Sequence, residues 1–105
     1  MKPIQIRKTV STIASRNGFG YYTSRNELVG DNPVSIRFDR IIKTDEEEYL
    51  VFIIGVNPKL PAEKRRELWI TEGLRFVSLC EKSLDVDRDM YDTNQDGRTF
   101  AVKVW

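Results

Sequence analysis

Residues 34–56 constrain the fold more than any other stretch of this chain. Val34, Ile36 and Phe38 alternate with Ser35, Arg37 and Asp39, and Ile41 and Ile42 then make the pattern more apolar. Alternation at period two predicts a strand over 34–43. The run Asp45-Glu46-Glu47-Glu48 makes an acidic connection, after which Tyr49 to Val56 is apolar on both faces. A strand of that kind belongs in the middle of a sheet and pairs with its neighbour through the acidic turn. The chain must therefore build a sheet and cover it.

The remaining segments are read around that hairpin. In residues 3–14, Ile4, Ile6, Val10, Thr12 and Ala14 share one parity, which predicts a half-buried strand interrupted at Lys8 and Ile13. Asn17-Gly18 supplies a turn that admits positive φ, and Phe19 to Thr23 reads as a returning strand, so a first hairpin is expected. Gly30, Asp31, Asn32 and Pro33 mark a loop. After Asn57 to Pro61, residues 61–72 predict a helix with Pro61 at its first position and Gly73 as its left-handed cap. Leu74 to Leu79 is then expected as a strand, the alternative being one helix running on to Lys82. Residues 81–98 are polar and acidic and predict a long exposed loop. Phe100, Val102 and Val104 alternate in a final strand.

A chain of 105 residues with 40% apolar residues holds material for one core. The expected class is α+β: a single small domain with a mainly antiparallel sheet of five or six strands and one principal helix. The element order also admits an OB-like barrel. Cys80 has no second cysteine to pair with, and no apolar run near Met1 is long enough for a signal peptide. Both point to the cytoplasm or another reducing compartment. No stretch is apolar for the length a membrane helix needs.

The chain contains no histidine. Ser-His-Asp and Cys-His catalysis and the usual zinc sites are thereby excluded within it. Cys80, at the end of an apolar segment, reads as a structural thiol rather than a nucleophile. No dinucleotide or phosphate-loop fingerprint occurs, so no cofactor is implied. Asp92, Asn94 and Asp96 followed by Gly97 open like a calcium loop, but Lys103 stands where the bidentate glutamate would close it. A loose calcium or magnesium contact, involving Asp85, Asp87 and Asp89 as well, is the metal reading. A metal-dependent enzyme using these carboxylates is the weakest functional reading, and a solvated loop explains the same residues.

Net charge is +1, but its distribution is uneven. Residues 1–43 carry eight bases and three acids, whereas 44–58 carry four acids and no base. That polarity permits a basic surface. Arg7, Arg16, Phe19, Tyr21, Tyr22, Arg25 and Arg37, with Lys8 and Lys43 nearby, form the candidate nucleic-acid set. Cations neutralise phosphates, and exposed rings stack on unpaired bases. Phe19 and Tyr21 share a strand face and can equally belong to the core.

The first functional expectation is a non-catalytic domain that binds single-stranded DNA or RNA. The second is a protein-interaction or inhibitory domain acting through the acidic loop at 81–98, helix 61–72 or an exposed strand edge. Arg65, Trp69 and Trp105 are its candidate contact residues, and a homodimer is compatible with it.

Overall fold

A computed structural model describes residues 2–22, 25, 27–30, 32–93 and 98–105, with only the backbone of Tyr22 and Leu28. Its elements are α1 (Pro3–Arg16), β1 (Gly20–Tyr22), β2 (Leu28–Val29), β3 (Val34–Lys43), β4 (Glu48–Val56), α2 (Ala62–Cys80), β5 (Val86–Thr93) and β6 (Thr99–Val104). The six strands lie in the order β2-β1-β3-β4-β6-β5, parallel only between β1 and β3. The α+β expectation is met. With β2 and β5 at opposite edges the sheet stays open, so the OB-like barrel is not formed.

The hairpin read from residues 34–56 is present, with Phe38 opposite Phe52 and Ile36 opposite Ile54. Its register shifts between Phe38 and Arg40, where Asp39 is the extra residue of a bulge. Both helices pack on one face. Ile6, Val10, Ile13 and Ala14 of α1 and Phe76, Val77 and Cys80 of α2 join Ile36, Phe38, Leu50, Phe52, Ile54, Phe100 and Val102 in one cluster. Phe76 stands edge-on to both Phe19 and Phe52, a favoured aromatic geometry. No helix among the described residues is long and apolar enough to cross a membrane.

Four sequence expectations are corrected. Residues 3–14 are helical, and the two residues that spoiled the strand pattern explain why: Ile13 is buried and Lys8 exposed, as a 3.6 period requires. Pro3 opens the helix, and the Lys2 N–H donates to Gln5 Oε1 at 3.2 Å. Asn17-Gly18 closes this helix instead of turning a hairpin. Gly18 takes φ +78°, and the Phe19 N–H reaches back to the Ala14 carbonyl at 2.9 Å, the longer bond of a Schellman motif.

α2 runs through Gly73 to Cys80, so residues 74–79 are helix and the rejected alternative is correct in outline. Gly73 is buried there for packing: a Cβ at this position would lie 2.5 Å from the Phe100 ring. Within the expected loop, residues 86–93 form β5. Only Val86 of this strand is buried, and its register against β6 shifts between Asp87 and Tyr91. A charged, bulged edge strand leaves little apolar alternation to read, while the same features deter pairing with another sheet.

Candidate functional site

The helical α1 rearranges the predicted basic set. A groove of about 400 Å³ separates α1 from the end of α2 and the residues after it. Lys8, Thr9, Thr12, Ile13 and Arg16 supply the α1 wall, with Asn17 at its end, and Leu79 and Ser83 form the other side. Lys8, Thr12 and Arg16 succeed one another at intervals of four, so one stripe of the helix carries both cations. The Thr9 and Thr12 hydroxyls donate to the carbonyls of Gln5 and Lys8, each at 2.9 Å. Their protons are thus committed to the helix, and Lys8 and Arg16 are the groups able to attract an anion. Among the described residues, no carboxylate lines the groove.

Arg16 also has a structural use, because a cation in the last turn of a helix opposes the negative end of its dipole. Arg75 closes the same end of the molecule from α2. Its Nε donates to Glu72 Oε2 at 2.7 Å, another guanidinium nitrogen donates to the Asn17 carbonyl at 3.0 Å, and its Cζ lies 4.3 Å from the Phe19 ring centre. This clamp was invisible in the sequence, since it joins residues 58 positions apart.

The other predicted nucleic-acid residues do not converge on the groove. Phe19 is 2% exposed and packed against Phe76, so it has no face to offer a base. Tyr21 is half-buried against the core. Arg7 is exposed on α1 but lies on its other flank, half a helical turn from Arg16. Arg25 is exposed between β1 and β2, and Arg37 is exposed on β3, on the sheet face away from the helices. The side chain of Tyr22 lies outside the described residues.

Among the candidate partner residues, Trp69 is half-buried with its ring 5.3 Å from Phe100, while Trp105 is 70% exposed. The Trp105 N–H donates to the Asp85 carbonyl at 3.0 Å. Arg65 Nε and Trp69 Nε1, one helical turn apart, are buried donors with no acceptor among the described residues. Asp92 is exposed on β5, and its carboxylate accepts from the Thr93 N–H at 2.8 Å. Asn94 and Asp96 lie outside the described residues, among which no three acids or cysteines cluster to hold a metal ion.

Among the described residues, two ionisable groups depart from their ordinary behaviour. Burial pushes the Cys80 thiol far up. The Tyr49 hydroxyl is also raised, first by its hydrogen bond to the Glu47 carboxylate, then by desolvation and by the charges of Glu47 and Asp92. Neither change prepares a nucleophile at neutral pH, because each holds its proton more firmly.

Sequence reasoning found Lys8 and Arg16 as bases but missed that they stand together on one wall of a groove. The spacing Ile6, Val10, Ile13 and Ala14 was the available signal. No protein-family model, curated protein or solved structure matches the chain.

Proposed function

We propose that this protein binds nucleic acid, single-stranded DNA or RNA, by neutralising backbone phosphates along α1. One observation carries this reading: Lys2, Arg7, Lys8 and Arg16 are all exposed, and the segment from Lys2 to Asn17 contains no acid. A helix surface of one sign attracts a polyanion, and Lys8 and Arg16 extend that attraction into a concave groove. The groove favours a single strand over the body of a duplex. With Phe19 in the core, base stacking is no longer part of the proposal. Contacts confined to phosphates position a strand without reading its sequence.

The test is fluorescence anisotropy with unstructured labelled oligonucleotides over a range of salt concentrations. Affinity should fall steeply with salt, and Lys8→Gln with Arg16→Gln should reduce the logarithmic salt slope by about 1.4, or ~0.7 for each lost single-strand phosphate contact. Absence of binding at low salt and roughly 100 micromolar protein would overturn the proposal. That result would favour the second reading, a protein-interaction domain, for which Trp105, 70% exposed, is the accessible candidate contact residue.

A further inference from the structure

The polar side chains on the α1 wall of the groove share one property: each has given a donor to the helix backbone. The Thr9 hydroxyl donates to the Gln5 carbonyl and the Thr12 hydroxyl to the Lys8 carbonyl. A threonine hydroxyl has one proton and two lone pairs, so each oxygen keeps acceptor capacity and has no proton left for a ligand. At the end of the same wall the Asn17 side-chain amide donates to the Ile13 carbonyl at 2.7 Å. Ile13 and Leu79 line the rest with apolar surface. Thr12 is exposed and Thr9 half-buried, so Thr12 is the acceptor open to a ligand. It stands one turn from Lys8 and one turn from Arg16, about 6 Å from each along the helix.

The stripe therefore runs cation, acceptor, cation. A nucleic-acid strand runs phosphate, sugar, phosphate, and in RNA that sugar carries a 2′-hydroxyl that can donate, whereas DNA has no donor at the same place. We infer that the strand held along α1 is RNA, with phosphates at Lys8 and Arg16 and the 2′-hydroxyl of a ribose between them donating to Thr12 Oγ1. The inference rests on the phosphate-binding reading and deepens it by naming the sugar. The sugar is tethered directly between phosphates, so it is the donor brought to Thr12 when both cations are engaged; a base is free to turn outward. Single-stranded DNA keeps the phosphate contacts and loses this one hydrogen bond. Sugar contacts, like phosphate contacts, carry no sequence information directly, so no base preference is expected.

Fluorescence anisotropy compares labelled cytosine-only strands, about twelve nucleotides long, that differ only in the 2′ group: hydroxyl, hydrogen or methoxy. Cytosine is common to RNA and DNA, which removes the thymine methyl from the comparison. The methoxy strand keeps the sugar conformation of RNA without the donor, so it separates the hydrogen bond from strand shape. The wild-type protein should bind the hydroxyl strand at least about threefold more tightly than either other strand, the size of one net hydrogen bond. The salt slope should be the same for all three, because their phosphates are the same. Thr12→Val keeps the shape of the side chain and removes the acceptor. It should bind the three strands alike with an unchanged salt slope, while Thr12→Ser keeps the hydroxyl and should keep the preference. Circular dichroism establishes that each variant is folded. Salt-dependent binding without a preference for the 2′-hydroxyl overturns the inference and leaves the phosphate reading in place, as does a preference that survives Thr12→Val. Absence of binding to every strand at low salt overturns both.

Discussion

Tyr49 concentrates several influences on one hydroxyl. Its proton is held by the Glu47 carboxylate, and Asp92 adds a further negative charge nearby. The neutral phenol is therefore favoured in the folded chain relative to an ordinary tyrosine of pKa about 10. The sign of the linkage follows: the unfolded chain releases this proton first as pH rises. Any stability from this source is intact below about pH 10 and lost through the alkaline range above it. Ultraviolet titration should find one tyrosine ionising late, absent in Tyr49→Phe and shifted downward in Glu47→Gln. An unchanged curve in Glu47→Gln would show that the hydrogen bond is not its main cause. Residue identity was legible here and partnership was only partly so. Glu47 and Tyr49 are two positions apart, but Asp92 arrives through β5, a strand absent from the sequence reading.

At the level of elements, α2 and β6 illustrate how one contact fixes both partners. Gly73 sits in the interior of a helix where its backbone freedom is unfavourable, yet any larger residue would meet the Phe100 ring. Gly73→Ala gains up to ~1 kcal/mol of helix propensity. Overpacking against a buried aromatic costs about 1–3 kcal/mol, so the expected net effect is destabilisation, read as a lower urea midpoint with an unchanged slope. A raised midpoint would mean that helix and strand separate more easily than the packing implies. Glycine followed by an apolar run was readable as a cap before a strand because the clash that requires it comes from a residue 27 positions later. The apolar residues 73, 76, 77 and 80 fit helical spacing as well, but Leu74 and Leu79 blurred the stripe.

For the whole molecule, one core has a practical consequence. Cys80 is fully buried in the cluster that receives residues from both helices and from β3, β4 and β6. Its thiol is pushed upward by that burial, and the thiolate is the form that reacts. Labelling by a disulfide reagent should therefore be slow in water and accelerate with urea along the same free-energy slope as global unfolding followed by circular dichroism. Rapid labelling without denaturant would show that the end of α2 opens separately. The two outer faces differ as well. The exposed surface of α1 offers cations without acids, while the sheet face away from the helices carries described charges of both signs.

The sequence alone determined the β3–β4 hairpin, the last strand, the start of α2 and the lack of histidine chemistry, because each depends on local periodicity, local turn residues or composition. The class was legible for the same reason. Tertiary structure decided that residues 3–16 are a helix, since both periods fit its apolar residues in part and only a sheet face to cover makes the helical stripe the better burial. It also decided that Phe19 is core and that Lys8 and Arg16 border a groove. These outcomes depend on which surfaces meet across long sequence separations. Local pattern supplies the surfaces, and packing selects among the ways they can be joined.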